Sequence, residues 1–157
     1  MTADIVISRV SALHPDLADL IAELDVAIRE MEPETPQDFN FCLTAEEMDG
    51  PDTTVWIART NDRAVGCCAL LRHPDGAAEL KRMFVRPEAR GARLGARLLD
   101  TVEAQARLEG SRRLLLETGV HYRSARRLYE AAGFEQTGAF ADYPDNPYSI
   151  FYAKPLT

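Results

Sequence analysis

The stretch Arg90-Gly91-Ala92-Arg93-Leu94-Gly95 has the residue types to hold an anion. It lies between an alternating apolar run and a helical one. There, exposed backbone N–H groups and the positive end of a helix dipole favour a phosphate. Gly91 lets the backbone turn or approach a ligand closely, and Gly95 keeps a side chain away from the bound group. Neither G-x-x-x-x-G-K-[ST] nor G-x-G-x-x-G is present, so this is not a familiar nucleotide loop. An arginine-rich helix on nucleic acid is the competing reading; the net charge of −7 and the lack of a known binding module speak against it. Two groups that could move protons stand further on: Glu117, at the end of the apolar run "LLLET", and His121 just beyond it.

Charge is segregated along the chain. Residues 16–52 carry twelve acids against Arg29 alone, a net −11, whereas residues 80–97 carry six bases against Glu88, a net +5. A basic centre suits an anionic ligand, and an acidic N-terminal third suits a cationic one or a solvated helix face.

The elements that must position these groups follow from periodicity. "IVISRV" (5–10) alternates as a strand, and Leu17, Leu20, Ile21, Leu24 and Ile28 share one helical face. Two prolines in "EPETPQDFNF" break that helix, and Thr44 with Glu47 forms a capping box for a short helix at 44–48. Runs at 54–60, 64–72 and 78–86 are joined by connections too short for crossovers, which makes a three-stranded meander. Leu94, Leu98, Leu99, Val102 and Ala106 recur at helical spacing up to Gly110. A buried strand at 112–118 follows, then a helix capped by Ser124 and stopped at Gly133. "FEQTGAF" and "YSIFYAK" read as closing strands. The order β-α-α-β-β-β-α-β-α-β-β needs one parallel pair, hence a mixed sheet.

A length of 157 residues, 46% apolar and 27% charged, is that of one ordinary soluble domain spanning 1–157. The densest apolar run, "VGCCALL", is too short for a membrane span, and "MTADIVISRV" lacks the pattern of a secretory leader. Cys42, Cys67 and Cys68 read as reduced thiols, and no C-x-x-C pair offers zinc a site. These features imply a cytoplasmic protein without metal, membrane or nucleic-acid partners.

Taken together, "AELKRMFVRP", "RGARLG", "ARLLDTVEAQA", "LLLET" and "ARRLYEAAGF" resemble the GNAT superfamily of acetyl-coenzyme A-dependent N-acetyltransferases. The resemblance covers residues 54–154, and the N-terminal third by element order only. It implies an α+β fold: a mixed, mostly antiparallel central sheet flanked by helices, with acetyl-CoA as co-substrate between the fourth and fifth strands. The family loop Q/R-x-x-G-x-G/A maps its first position to Arg90 and its last to Gly95, so the coenzyme contacts are Arg90, Gly91, Ala92, Arg93, Leu94, Gly95 and Ala96. Backbone groups of Met83, Phe84 and Val85 are implied to hold the acetyl carbonyl and pantetheine amides. Arg93 replaces the central glycine; with right-handed backbone geometry there, its side chain would lie along the helix edge within reach of a coenzyme phosphate. Tyr122 stands where many relatives carry an amide side chain.

Acetyl transfer needs a neutral amine. With a pKa near 10.4, only about one part in 10³ is neutral at pH 7, a cost of about 4 kcal/mol unless a base assists. The resemblance implies Glu79, eleven residues before Arg90, as that base; Glu117 and His121 are the alternatives. It implies Tyr129 as the acid beside the coenzyme sulfur. A core tyrosine and a structurally paired Glu79 are the competing readings. The acceptor would enter between "EMEPETPQDFNF" and "FADYPDNPYS", both acidic and aromatic, which favours a cationic small amine or a basic peptide end. A protein N-terminus or lysine remains an alternative acceptor, as does a non-catalytic acyl-CoA sensor, and a homodimer is compatible with the family.

Overall fold

The structure, a computed structural model, describes residues 4–157; residues 1–3, the start of the stretch considered above as a leader, lie outside it. Strand β1 (Ile5–Val10) leads into helix α1 (Pro15–Met31). His14 caps α1 by accepting the Asp16 N–H at Nδ1 (3.0 Å), and Pro15 takes the first turn, where no N–H is needed. The apolar stripe of α1 then splits. Leu17 and Leu20 are buried in the core, whereas Leu24 and Ile28 face a cavity described below. After one 3₁₀ turn (Gln37–Phe39), α2 (Ala45–Met48) carries the expected capping box: the Glu47 N–H donates to Thr44 Oγ1 (3.1 Å) and the Thr44 N–H to Glu47 Oε1 (3.0 Å).

Strands β2 (Thr53–Thr60), β3 (Arg63–Arg72) and β4 (Ala78–Val85) form the meander. Helix α3 (Leu94–Leu108), β5 (Arg113–Gly119), α4 (Arg123–Ala131), β6 (Glu135–Thr137) and β7 (Ser149–Pro155) complete the chain. Among the described residues one seven-stranded sheet results, in the order β1-β2-β3-β4-β5-β7-β6, in which only β4 and β5 pair in parallel. One face packs on α3 through Trp56, Cys68, Leu70 and Leu80 against Leu98, Leu99 and Val102. The other packs on α1 through Val55, Ile57, Cys67 and Phe84 against Leu17 and Leu20. Adjacent Cys67 and Cys68 therefore point to opposite faces, and both thiols are free and buried. Among the described residues no helix is long and apolar enough to cross a membrane.

Two expectations about element ends are corrected. Helix α4 starts at Arg123, with Tyr122 in the cap position, so Ser124 lies inside the first turn and caps nothing. The turn that delivers the chain from β5, with the Tyr122 N–H on Gly119 O (3.2 Å), sets that boundary two residues early. The strand expected over 134–140 is paired only at Glu135–Thr137. Beyond it, Phe140 turns inward to meet the Phe151 ring edge-on at 5.2 Å.

Candidate active site

The site begins with a defect in the sheet. Between the β3–β4 pairs Cys67↔Phe84 and Ala69↔Lys81, one residue of β3 faces two of β4, and Arg82 takes a left-handed φ of 54°. That is a β-bulge, and it bends the second half of β4. On its other side β4 pairs with β5 for only two rungs, Ala78↔Leu114 and Glu79↔Leu115. Past these the strands diverge, and the backbone groups along their facing edges have no strand partner. The wedge is a cavity of about 510 Å³, walled by Leu80–Met83 of β4, Leu116–Gly119 of β5, and Tyr122, Ala125 and Tyr129 around α4. Residues of α1 and the 33–42 loop close its front.

In the loop that follows β4 the chain forms an anion cradle, none of whose residues is on the cavity wall itself. Gly91 has φ 93° with open space where a Cβ would stand, and Arg93 has φ 58° and ψ 28°. Arg93 is therefore left-handed, not right-handed as expected. The loop keeps the backbone a glycine would supply and carries an arginine on it, at a cost of about 1–2 kcal/mol. Among the described residues no side chain caps α3, so its first N–H groups have no capping partner. Gly95 has a further role, since a Cβ there would press on Leu128 Cδ2 at 3.3 Å, so its absence lets α3 and α4 approach. A backbone nest on a fifteen-residue helix, with exposed Arg90 and Arg93, fits a pyrophosphate.

The structure separates the two carboxylates. Glu79 is fully buried and stands behind the cavity wall. His73 Nε2 donates to its Oε1 and the Tyr143 hydroxyl to its Oε2, both at 2.8 Å, with Lys81 Nζ at 3.5 Å. Lys81 in turn donates to Phe41 O and to Tyr143 Oη, each at 2.8 Å. This network ties together the two segments expected to frame the acceptor. Their rings meet as well: Phe41 with Tyr143 at 4.8 Å and Phe39 with Tyr148 at 5.6 Å.

Glu117, by contrast, lies on the cavity wall, accepting from Ser149 Oγ at 2.6 Å. Burial pushes its carboxyl above the usual range; the Ser149 hydrogen bond and Lys81 oppose this, and Glu79 adds to it. Glu32, also on the wall, is raised by burial and by Glu117. Glu32 sits where a side chain on residue 119 would be, so Gly119 is what admits it. Tyr129 lines the cavity between Phe134 and Tyr152, and burial raises its phenol strongly. Burial also raises all three thiols, Cys67 to about 12, so none is poised as a thiolate. His121 is exposed and outside the wall.

A model of the Acetyltransferase (GNAT) family matches residues 18–134. The chain belongs to that family. This GNAT acetyltransferase is 38% identical over 154 residues to the IAA acetyltransferase of Azospirillum brasilense, spanning 98% of this chain and 99% of that protein. Its fold matches the solved structure of an acyl-CoA N-acyltransferase from Klebsiella pneumoniae at a TM-score of 0.82 and 31% identity, over 99% and 100% of the two chains. The PaiA N-acetyltransferase of Thermoplasma acidophilum, solved with coenzyme A, shares the fold at a TM-score of 0.75 and 17% identity, over 97% and 99%.

Sequence reasoning did not single out Lys81 and Arg82 as cavity-lining residues or Tyr143 as a partner of Glu79. It also misjudged the lining charge. Of the acids in 30–41 only Glu32 reaches the cavity, Glu30, Glu34 and Asp38 being exposed, whereas Arg29, Lys81 and Arg82 all line it. No local signal separates these cases, because which side of a loop meets the sheet is a long-range outcome.

Proposed function

We propose that residues 1–157 work as one N-acetyltransferase domain that moves the acetyl group of acetyl-CoA to a small-molecule amine by direct attack. The observation that carries this reading is the β4–β5 wedge with Glu117 and Tyr129 on its walls, together with the uncapped N-terminus of the helix that follows β4. Acetyl-CoA supplies a thioester whose thiol, with a pKa near 8.5, is a fair leaving group. Gly91–Ala96 and Arg90 hold its pyrophosphate through backbone N–H groups and charge, and the unpaired edge of β4 at Met83–Val85 holds the arm and the acetyl oxygen.

Glu117 takes the proton of the attacking amine. Its raised pKa brings it closer to neutrality than an ordinary carboxylate, which makes it a better base at pH 7 while it is still ionised. Glu79 acts through this group and through the loops, since its charge raises Glu117 and its hydrogen bonds hold Tyr143. Tyr129, whose phenol is raised well above the thiol's value, serves by donating a hydrogen bond to the departing sulfur and keeps its proton.

A small acceptor is favoured because the Phe39–Phe41–Tyr143–Tyr148 cluster roofs the acceptor side, and a cavity of about 510 Å³ suits a ligand of that class. The relative from A. brasilense, named for acetylation of IAA, agrees with that size class. The test is thiol release from acetyl-CoA over small amines, amino acids and dipeptides, with Tyr129→Phe as the control variant. Turnover with small amines, slowed about tenfold or more in Tyr129→Phe, is expected. Tight coenzyme binding without turnover on any amine would replace this reading by an acyl-CoA sensor.

A further inference from the structure

Among the described residues, four buried side-chain polar atoms lack a hydrogen-bond partner: Arg59 Nη1, Arg82 Nε, Arg82 Nη1 and the Tyr122 hydroxyl. Three of the four belong to residues lining one cavity, and each of those three is a donor. Buried donors are rarely left unpaired, and for a guanidinium the desolvation is more costly than for a neutral group. The arrangement suggests a ligand rich in acceptors.

Arg82 is the strongest member. Its left-handed backbone at the β4 bulge carries the side chain beneath α1, where Nη2 pairs with Asp25 Oδ1 at 2.8 Å and the side chain is only 4% exposed. That single ion pair uses one of three nitrogens. The other two retain N–H groups that nothing in the described chain accepts. Arg82 also acts on the cavity electrostatically, since its charge is felt at the Cys42 thiol on the same wall. Arg29, from the next turn of α1 after Asp25, adds a second cation to the lining. Lys81 does not compete for this role, because Phe41 O, Tyr143 and Glu79 already occupy its ammonium.

We propose that Arg82, supported by Arg29, is an oxyanion-binding residue of the acceptor site, so that the acceptor is an amine that also bears a carboxylate or phosphonate group. This rests on the acetyltransferase reading of the cavity. It adds a requirement which that reading does not contain: an anionic group on the same molecule as the amine. An acceptor of this kind satisfies the buried N–H groups of Arg82 and presents its amine to the Glu117 side of the wedge. A purely cationic amine leaves Arg82 Nε and Nη1 without an acceptor and adds a like charge to the wall that carries Arg82 and Arg29.

The experiment compares matched pairs under saturating acetyl-CoA: amino acids against their carboxamides, and aminoalkylphosphonates against the corresponding alkylamines. Wild-type protein is expected to prefer the anionic member by tenfold or more in kcat/KM. In Arg82→Gln that preference falls about 10- to 100-fold, expressed mainly in the acceptor KM, the range expected for a hydrogen bond to a charged partner. Arg82→Lys keeps a charge beside Asp25 and so guards against loss of folding; it is expected to lose part of the preference. Arg29→Gln, at an exposed position, loses less. Equal or better turnover of the neutral members overturns the proposal. So does a rise in the acetyl-CoA KM of the Arg82 variants without loss of acceptor preference, because the coenzyme would then be the group at Arg82. If no amine of either kind is acetylated, the acetyltransferase reading itself fails. The anion site is then decided by calorimetric titration of the coenzyme A complex with the same amino acids. Binding that is weakened in Arg82→Lys and lost in Arg82→Gln supports it, and absence of binding to wild type, or binding unchanged in both variants, overturns it.

Discussion

Replacing Glu79 with Gln keeps the shape of the side chain and removes its charge. Glu79 is 0% exposed and makes two 2.8 Å hydrogen bonds, from His73 and Tyr143, with the Lys81 ammonium 3.5 Å away at 7% side-chain exposure. Solvent screening is slight for groups this enclosed. The variant has one acceptor oxygen, so one charge-assisted hydrogen bond becomes neutral, the other must reverse or break, and Lys81 is left a buried cation without its counter-charge. Removing one member of a buried pair costs about 3–5 kcal/mol, and the Tyr143 and Phe41 contacts that Lys81 retains place this case at roughly 3 kcal/mol. For a chain of this size that corresponds to a Tm lower by about 6–12 °C.

The loss has a pH signature. The hydrogen bond to Glu79 is the largest cause raising His73 above its ordinary value of 6.5, with burial opposing it and the charge of Glu79 reinforcing it. A raised folded-state pKa contributes stability that is fully present below about pH 6.5 and is lost as pH rises through the folded value. Wild-type unfolding free energy, measured by urea titration from pH 5.5 to 9, should therefore fall across that window. The Glu79→Gln curve should be flatter there, so that the gap between the two proteins is widest at low pH. A cost below about 1 kcal/mol, or an unchanged slope between the two proteins, would refute this account of the network.

Three further outcomes follow from the geometry. Glu117→Gln should lower kcat by about 10²- to 10⁴-fold. In wild type, kcat/KM should climb as pH rises through the raised Glu117 value, because only the ionised carboxylate is a base, and in the variant that limb should vanish; a surviving limb assigns the base elsewhere. Arg93→Gly should leave the fold about 0.5 kcal/mol more stable in urea titrations, since relief of the left-handed backbone slightly exceeds glycine's extra unfolded-state entropy; destabilisation would show that the arginine side chain holds the loop. Tyr122→Phe removes a buried hydroxyl that has no partner among the described residues, so the Tm of the ligand-free protein should rise by about 2–4 °C, and a fall would reveal a bond to that hydroxyl.

Local physics made much of this protein legible in its residues. The Thr44–Glu47 capping box, the helical stripe from Leu94 to Ala106 and the meander joined by tight turns each depend on neighbours within a few positions, and each is present. The parallel pair expected of the strand–helix–strand unit in the middle of the chain is present as β4–β5. The spacing of the Arg90–Gly95 stretch within those elements carried the family.

The sequence by itself therefore determined the elements, their order and the family of chemistry. Tertiary structure alone decided which groups meet. A strand alternates its faces, but where β4 bulges and how soon it parts from β5 depend on packing from both sides of the sheet. That parting leaves Glu79 behind the wall and puts Glu117 on it. Arg93 carries a helix former's side chain on a left-handed backbone because the loop must turn there, whatever the residue prefers. The acidic front of the chain turns most of its carboxylates to solvent, since hydrated charge is cheaper outside than in a wedge. Arg82, in contrast, is carried inward by the bulge it forms, with two of its nitrogens unpaired among the described residues.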